Sequence, residues 1–565
     1  MKSKINIRIL TALIGGLLLT SCGEKDTSEI KDGVALVINK EGTTLTQRPN
    51  ILWIVAEDLS PVIPSFGDST VVTPNISRLA AEGVRYINAY SPSGVCAPSR
   101  AAIATGMYQN HIGAQHMRNR KSVKYFPKGI QSYEAMPPAD IRMHSEYLRL
   151  KGYYCSNNSK EDYQFNAPVT AWDESSKNAH WRNRGLNQPF FSIFNLNVTH
   201  ESQIWAKAKD SLWVDADLDV PVPPYLPDNE VGRTDVRRMY SNIKEMDQQV
   251  GEILAQLEED GLLENTIIFW YADHGGPLPR QKRLLYDSGM RFPLVIRYPD
   301  KKNAGTLDDQ LISFVDFKPT LLSLAGILPS ENLDGRAFAG KFKSKNKRKY
   351  VHGAADRLGE LYDMIRAVRD NRYKYLKNFK TNQNYYLPLP YREQMPIMQE
   401  LLRMRDNGEL DKSQALWFRN VKVPEELFDT WNDPHEMNNL AENPKFKDKL
   451  VELREECEGW MSEIEDKGLM SEKEYIASIW PLGFQPKTQE PVVKKISNKI
   501  VIKCETVGAS IGYQVLLQNE KLKKSWKVYT KAFFINPKER VISVAHRIGY
   551  QPSDQISFSE NRNTQ

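Results

Sequence analysis

Two apolar runs, each closely followed by a pair of polar residues, constrain the fold of this 565-residue chain most strongly. Residues 50–55 precede Glu57 and Asp58, and residues 266–271 precede Asp273 and His274. Continuous apolar runs of this length are typical of parallel strands that are covered on both faces. Open α/β sheets place ligands beyond the carboxyl ends of such strands. The two runs therefore predict a buried, largely parallel sheet with a polar site at one edge.

Further strands and helices continue the same pattern. Residues 190–199 form another apolar run that ends at His200, and a strand at 152–155 precedes Lys160. Helical stretches at 237–257 and 317–324 alternate with these strands, which favours an α/β layer fold. The hydrophobic fraction of 41% with 26% charged residues indicates a globular protein, neither disordered nor membrane-embedded.

Cys96 opens the pentapeptide Cys96-Ala97-Pro98-Ser99-Arg100, which precedes a small-residue run that we interpret as a helix. Proline fits the first turn of a helix, so Cys96 is expected at the helix start, where backbone N–H groups favour an anion. The alternative is a buried free cysteine in front of an ordinary helix.

The pattern C-x-P-S-R, followed by Thr105 and Gly106, resembles the signature of type I sulfatases. In that family the cysteine is oxidised after synthesis to formylglycine, an aldehyde that hydrates to a geminal diol. The resemblance implies an alkaline-phosphatase-like fold, with a catalytic α/β domain at 49–334 and a smaller C-terminal α+β subdomain, including a helix, at 335–485. Residues 197–202 and 273–277 resemble a bacterial branch related to heparan N-sulfatases.

The resemblance also implies a divalent metal site, for which we expect Ca²⁺ because of its preference for oxygen ligands. The expected ligands are Glu57, Asp58, Asp273 and His274. Glu57 departs from the usual family aspartate and His274 from the usual asparagine. An imidazole is a softer ligand and widens the range of metals; His274 contacting the substrate instead remains open.

Family positions supply the remaining catalytic groups. Arg100, Lys160, His200 and Lys282 match residues that stabilise the modified side chain, bind sulfate or protonate the leaving oxygen. Three further residues are expected to contact substrate, namely His116, Asp162 and Arg283. Asp162 stands where the family has a histidine, and aspartate is the weaker base, so His111 or His116 are alternatives for that proton transfer. Arg280 and Arg283 are alternatives to Lys282.

The N-terminus has the layout of a secretory signal, with basic residues before a short apolar stretch at 9–19. Residues 19–22 resemble a bacterial lipobox, which implies a lipoprotein signal peptide at 1–22, lipidation of Cys22 and a tether at 23–48. The expected location is membrane-anchored, in the periplasm or at the cell surface. A plain signal peptide is the alternative.

Three further cysteines, Cys155, Cys457 and Cys504, are too widely spaced for a disulfide framework. We expect packed thiols, with a bond from Cys155 to one of the others left open. A helix at 446–463 carries Leu450, Leu453, Cys457 and Trp460 on one stripe, which predicts core packing.

Residues 491–565 differ in composition from the rest of the chain, since 491–550 contain twelve Lys and Arg against three Glu. Short apolar alternations predict a small β-sandwich, which resembles the C-terminal domain of chitobiases. The basic charge is either a solvated face or a contact surface for an anionic polysaccharide. Nothing in the sequence resembles a nucleic-acid-binding motif.

Together these features predict a sulfatase that hydrolyses sulfate esters of a sulfated poly- or oligosaccharide, such as the algal polymer ulvan. Its partners would be that glycan, a formylglycine-generating maturation enzyme and a membrane. N-sulfoglucosamine sulfohydrolase activity on heparan-type glycans is one alternative. Two others are a phosphodiesterase or phosphoglycerol transferase of the same superfold, and a non-catalytic glycan-binding lipoprotein.

Overall fold

The computed structural model describes residues 35–38, 44–119 and 126–560. The expected signal peptide with Cys22 lies outside the described residues, as does most of the expected tether. Within the described part of the chain, no helix is long and apolar enough to cross a membrane.

The strands run in chain order as follows: β1 Ala35–Ile38, β2 Thr44–Gln47, β3 Asn50–Ala56, β4 Val84–Tyr86, β5 Ala89–Tyr90, β6 Tyr154–Asn158, β7 Glu174–Ser175, β8 Phe190–Leu196, β9 Thr266–Ala272, β10 Leu294–Arg297, β11 Leu307–Asp308, β12 Ile312–Ser313, β13 Val351–Ala355, β14 Ile365–Arg369, β15 Tyr373–Asn378, β16 Glu425–Asp429, β17 Val492–Ile496, β18 Lys499–Lys503, β19 Ser510–Leu517, β20 Lys527–Val528, β21 Glu539–His546 and β22 Ile556–Ser559. The α-helices are α1 Pro74–Glu82, α2 Cys96–Thr105, α3 His144–Leu150, α4 Ser202–Ala206, α5 Glu230–Glu259, α6 Asp287–Met290, α7 Phe317–Leu324, α8 Pro396–Asn407, α9 Lys412–Ala415, α10 Lys447–Glu463 and α11 Glu472–Ile479.

The central sheet has eight strands in the order β11-β4-β10-β9-β3-β8-β6-β7. Its middle strands β9, β3, β8 and β6 are parallel, whereas β10 is antiparallel to both of its neighbours. All seven residues of β3 are buried, as expected for a strand covered on both faces. The predicted α/β layer fold with a largely parallel sheet is therefore confirmed.

Strand register brings the predicted site residues to one edge of this sheet. Ala56, the last residue of β3, lies opposite Ala272 of β9 and Leu196 of β8. The carboxyl ends of β3, β8 and β9 therefore coincide, and the polar residues that follow each strand lie side by side. Strand β6 is parallel to β8 and delivers Lys160 to the same edge.

A second, antiparallel sheet has the order β13-β14-β15-β16. Helix α10 packs on it, and its predicted apolar stripe, Leu450, Leu453, Cys457 and Trp460, is buried. The same hydrophobic cluster includes Ala102 of α2, so this sheet also supports the helix that begins at Cys96.

Two antiparallel sheets follow at the C-terminal end of the described chain, β17-β18 and β20-β19-β21-β22. They share one small core around Ile500, Ile502 and Val541, in agreement with the predicted β-sandwich. This unit lies against the catalytic part of the chain, because a Cβ at Gly508 would be 2.0 Å from the carbonyl oxygen of Ala139. Gly508 also has a φ of +82°, which favours glycine.

Two predicted elements have different bounds in the structure. Helix α5 begins at Glu230, well before residue 237, because Asn229 caps it by accepting a hydrogen bond from the Gly232 N–H. Strand β6 starts at Tyr154 and continues to Asn158, beyond the expected end at 155. Its later residues are polar, so the apolar pattern did not reveal them.

The described cysteines are all free. Cys96, Cys155 and Cys457 are buried, and Cys504 is partly exposed. Cys155 and Cys457 are therefore packing residues, and the pairing of Cys155 that the sequence left open does not form among them.

Candidate active site

Helix α2 presents Cys96 at its first position. Val95, immediately before it, is extended, and Pro98 lies in the first turn, as the sequence predicts. Cys96 is only 1% exposed, so its side chain lies in an environment of low dielectric constant. The first N–H groups of α2, which have no partner within the helix, are at the same end. In a sulfatase the Cys96 sulfur stands in place of the oxygens of a hydrated formylglycine.

Acidic groups from β3 and β9 meet beside Cys96. The Asp58 N–H donates to Asp273 Oδ1 at 3.1 Å. His274 Nε2 lies 3.0 Å from Asp58 Oδ1, and all three side chains are buried. Ligand atoms of Cys96, Asp273 and His274 lie within 4.8 Å of one another, as do those of a second group formed by Glu57, Asp58 and His200.

Three cations surround the acidic residues. Arg100, one turn after Cys96, lies 3.1 Å from Asp273 Oδ2 and 3.4 Å from Glu57 Oε1. Lys160 Nζ donates to Glu57 Oε2 at 2.6 Å. Lys282 Nζ donates to Asp58 Oδ2 at 2.6 Å. The structure thus brings these predicted catalytic and metal-binding residues into one buried cluster.

The electrostatics of the cluster favour an anion on the side chain of residue 96. Burial is the largest single influence on the Cys96 thiol and raises its pKa, but Lys160 and Lys282, together with the neighbouring His200 and His274, lower it to about 5. Since the cations stabilise a thiolate, they also stabilise negative charge on an oxygen at the same place.

Neighbouring charges favour the ionised forms of Asp58, Lys282 and Lys160. Burial raises the pKa of Asp58, yet Lys282, His200 and His274 together hold it well below its usual range. Burial lowers the pKa of Lys282, which Asp58 and Glu201 nevertheless raise above its ordinary value. The pKa of Lys160 is raised against burial by Cys96 and Glu57.

The residues at this edge fit a divalent cation. Asp58 Oδ1 and His274 Nε2 are both buried and lie 3.0 Å apart, and neither atom makes a hydrogen bond of normal geometry with the described residues. Burial lowers the pKa of His274, but Asp273 and Asp58 raise it to about 10, so the site favours positive charge at this point. Carboxylate oxygens with one imidazole nitrogen form a donor set suited to such an ion.

His200 follows β8 and a short 3₁₀ helix, Asn197–Thr199. The Ser202 hydroxyl, 2.8 Å from Nδ1, orients the ring. Nε2 lies 3.1 Å from Lys282 Nζ. The imidazole is therefore held at the mouth of the cluster beside a predicted sulfate-binding cation, as a group that transfers a proton to substrate requires.

Glu201 is a buried member of the site that the sequence analysis did not single out. Its carboxylate binds Arg283 through both guanidinium nitrogens and lies 3.1 Å from Lys282 Nζ. Its backbone N–H donates to Asp58 Oδ2 at 2.7 Å. Glu201 therefore connects Lys282 and Arg283 to Asp58 at the end of β3. In the sequence, only its position directly after His200 could have indicated that Glu201 belongs to the site.

Of the predicted substrate-binding residues, Arg283 lines the pocket over Cys96, whereas Asp162 and His116 do not. Asp162 forms an ion pair with Arg118, and Arg283 is held by Glu201. His116 is buried outside the pocket lining, where its Nδ1 accepts the Arg357 N–H at 3.3 Å. Burial lowers the pKa of His116 to about 4.

Two alternatives considered from the sequence have partners away from Cys96. His111 Nδ1 lies 3.0 Å from Asp334 Oδ1. Arg280 donates to the backbone carbonyls of His435 and Glu436. Neither residue lines the pocket at Cys96.

A pocket of about 730 Å³ opens over Cys96. Its polar wall includes His200, Lys282 and Arg283. The lining also includes Arg118, Arg357 and Tyr391, which the sequence analysis had not identified. Arg357 is fully engaged, since it binds Glu472 through two nitrogens and donates to the carbonyls of the 117–118 segment. The pocket is large enough for a sugar ring that carries a sulfate.

Comparisons with known proteins agree with this geometry. Residues 49–138 and 146–327 match the family model described as Sulfatase, and residues 280–403 match that of the N-sulphoglucosamine sulphohydrolase C-terminal region. An ulvan-active sulfatase of Formosa agariphila is 50% identical over 550 residues, covering 91% of this chain and 92% of the relative. Human N-sulphoglucosamine sulphohydrolase is 24% identical over 74% of this chain and 90% of its own length.

Solved structures show the same fold. A structure in complex with its substrate D-glucosamine-2-N,6-O-disulfate has a TM-score of 0.53 at 18% identity and covers 74% of this chain and 99% of its own. A 2-O GAG sulfatase has a TM-score of 0.54 at 20% identity, covering 74% of this chain and 93% of its own. The predicted alkaline-phosphatase-like sulfatase fold is thereby confirmed. Enzymes of this family carry a formylglycine, and by its extended identity to such an enzyme this chain belongs to the sulfatase family.

Proposed function

We propose that this protein hydrolyses sulfate esters of a sulfated glycan of the ulvan type, by means of a formylglycine made from Cys96. The observation that carries the proposal is the buried start of α2, where Lys160 and Lys282 stabilise negative charge on residue 96. The half-identical relative, named as ulvan-active, supports the choice of glycan.

The hydrated formylglycine supplies the oxygen nucleophile that attacks sulfur. Lys160 and Lys282, which both act electrostatically on residue 96, would bind the sulfate oxygens and neutralise the charge that develops during the displacement. Arg100 holds Glu57 and Asp273 in place and faces the modified side chain from within α2.

His200 donates a proton to the departing sugar oxygen. Its Nε2 points toward the pocket beside Lys282, where the ester oxygen of a bound sulfate would lie. Once it has given up that proton, the neutral imidazole is in reach to take the proton of the remaining hydroxyl on residue 96, which expels sulfate. Asp162 is bound by Arg118 and His116 lies outside the pocket, which favours His200 for both transfers.

We propose that Asp58, Asp273 and His274, with Glu57, hold one Ca²⁺. When bound, the ion polarises the sulfate and offsets its negative charge. The burial of Asp58 Oδ1 and His274 Nε2, which lack hydrogen bonds of normal geometry to the described residues, and the close approach of the ligand atoms support this choice. The carboxylate majority of the set favours calcium over softer metals.

The N-terminal pattern supports a lipid anchor at Cys22, with the enzyme facing the periplasm or the cell exterior. Such a location requires a maturation enzyme that forms formylglycine in this chain before or during export. A Cys22→Ala variant should leave the membrane fraction, whereas a lipid-free wild-type N-terminus in intact-mass measurements would refute the anchor.

A second candidate is removal of an N-linked sulfate from glucosamine. The match of residues 280–403 to the N-sulphoglucosamine sulphohydrolase C-terminal model favours it. Direct comparison of sulfate release from O-sulfated and N-sulfated oligosaccharides distinguishes the two reactions.

The first test is the mass of the proteolytic peptide that spans Cys96 after coexpression with a maturation enzyme. We expect the aldehyde in place of the thiol, together with sulfate release from ulvan oligosaccharides that a Cys96→Ala variant lacks. An unmodified cysteine despite an active maturation enzyme would refute the formylglycine mechanism. Modification without release from any sulfated glycan would refute the substrate class.

A further inference from the structure

A second cleft, of about 470 Å³, adjoins the pocket over Cys96. The two cavities share four lining residues, Arg283, Leu358, Gly359 and Leu389. The two cavities are therefore adjacent, so that neighbouring sugars of one glycan could occupy them. The cleft also contains Arg392, which the mechanism above does not use.

Arg392 is a buried cation without an acidic partner. It is 5% exposed, and its Nε has no hydrogen-bond partner among the described residues. Nη2 donates to the Leu387 carbonyl at 2.7 Å. The guanidinium lies beside the rings of Tyr386 and Trp417, 5.0 and 4.8 Å from their centroids. In the described part of the chain, no carboxylate comes within 4.0 Å of it.

Such a charge is costly to bury, since burial without a paired anion destabilises the folded state. Burial, and then the nearby charge of Arg283, lower the pKa of Arg392 to about 10. Other buried arginines of this region avoid the cost: Arg357 binds Glu472, and Arg366 binds Asp356 and Asp466.

The acidic residues of the cleft cannot neutralise Arg392, because each already has a partner. Asp356 is bound by Arg366, and Asp363 by Lys422. The positive charge of Arg392 is therefore available to pair with an anionic group of a ligand. The apolar side of the cleft, which includes Leu361 and Pro388, suits the C–H face of a sugar ring.

We propose that this cleft is an anion-binding subsite for the glycan, in which Arg392 binds a carboxylate or a second sulfate on the sugar next to the one that is desulfated. This inference rests on the proposed glycan sulfatase function and narrows it to substrates with two anionic groups on neighbouring sugars. The planar guanidinium fork suits either group.

The test uses three disaccharides with the same reactive sulfated sugar, joined to a uronic acid, to a second sulfated sugar or to a neutral sugar. For Arg392→Met we expect KM to rise about tenfold or more for the anionic neighbours and to stay constant for the neutral one, with kcat little changed. The identity of the affected disaccharide distinguishes carboxylate from sulfate recognition. An equal change for all three, or no change, would overturn the subsite.

Two matched variants separate recognition from structure. Arg405→Met removes an arginine that also lies beside the Tyr386 ring but outside the cleft, and it should leave every KM unchanged. Arg392→Lys keeps the positive charge but lacks the planar guanidinium group, and it should recover part of the preference for disaccharides with an anionic second sugar. A preference lost equally in Arg405→Met would assign the effect to packing and refute the role of Arg392.

The affinities of the three disaccharides test the subsite without turnover and without an Arg392 variant. In the Cys96→Ser protein, calorimetry should show at least one anionic disaccharide binding about tenfold more tightly than the neutral one. Equal affinities would overturn the subsite even if the wild type releases sulfate. If the wild type releases no sulfate from any glycan, the proposed function fails, and the affinity difference still decides the subsite.

Discussion

Two of the clusters of buried charge in the described part of this protein differ in whether their bonding is complete. In the C-terminal sheet region, Arg366 binds Asp356 and Asp466 with all contacts internal. At the carboxyl edge of β3 and β9, Asp58 Oδ1 and His274 Nε2 are equally buried and lie 3.0 Å apart, but neither makes a hydrogen bond of normal geometry with the described residues. A network in which all buried charges are hydrogen-bonded holds two segments together, whereas a network with incompletely bonded groups can bind a ligand.

The largest effect should follow loss of a cation from the incomplete cluster. Lys160→Gln removes a charge beside residue 96 while Arg100 still pairs with Glu57. We expect kcat/KM for sulfate release to fall about a thousandfold, with little change in the urea midpoint. Lys377→Gln, which breaks an exposed pair with Glu458, is the control and should retain full activity. Near-normal turnover by Lys160→Gln would contradict the assigned role.

The complete network should respond in the opposite way. Arg366→Met leaves Asp356 and Asp466 buried without a counter-charge, and we expect about 3–4 kcal/mol lower free energy of unfolding. Activity per folded molecule should persist. Urea denaturation measures the loss, and Arg372→Met, at a more exposed ion pair with Asp429, should cost much less. Equal losses in the two variants would show that the buried network does not differ from a surface pair.

Ca²⁺ should bind to the incompletely bonded cluster at the carboxyl edge of β3 and β9. At a concentration a hundredfold above its Kd, Ca²⁺ is expected to stabilise the wild type by about 2.7 kcal/mol, seen as a higher Tm after dialysis against a chelator. Asp273→Asn should abolish this response, whereas Arg372→Met should retain it. A calcium response that persists in Asp273→Asn would place the ion elsewhere.

A lone buried carboxyl outside both clusters gives the smallest effect. Asp235 of α5 accepts the Ile397 N–H at 2.7 Å, and burial raises its pKa to about 7. Because the folded-state pKa exceeds the ordinary value of 3.8, this group binds protons more tightly in the folded state, and its contribution lowers stability as pH rises from about 4 to 7.

Asp235→Asn removes this dependence but keeps an oxygen acceptor for the Ile397 N–H. We expect it to be about 2 kcal/mol more stable than the wild type at pH 8 and equal to it near pH 4. Urea midpoints across this range measure the difference. A constant offset at all pH values would mean that ionisation of Asp235 is not responsible.

Sequence patterns predicted the fold where its signals are local. The apolar runs of β3 and β9 and the polar residues after them mark a sheet edge without any knowledge of tertiary contacts. Cys96 at a helix start followed from Pro98 alone. Lys160 and Lys282, by contrast, were identified only through family resemblance, since an isolated lysine in a polar segment carries no distinguishing pattern.

Residues defined by long-range packing were not predictable. Arg357 meets Glu472, 115 residues later in the chain, and nothing near either residue indicates the pair. The ion pair of Arg118 with Asp162 and the isolation of Arg392 are likewise properties of the assembled subdomain. Such contacts depend on how the C-terminal sheet lies over the catalytic edge, which no local periodicity specifies.

The pairing of distant strands at the sheet edge has a consequence for biosynthesis. Asp58 and Asp273 are 215 residues apart, so β3 cannot acquire its β9 neighbour until most of the catalytic domain has been translated. During that interval the segment around Cys96 has no completed core to enter, although it is only 1% exposed once folded. If Cys96 is modified as proposed, the thiol is therefore accessible before the sheet is complete rather than in the folded protein.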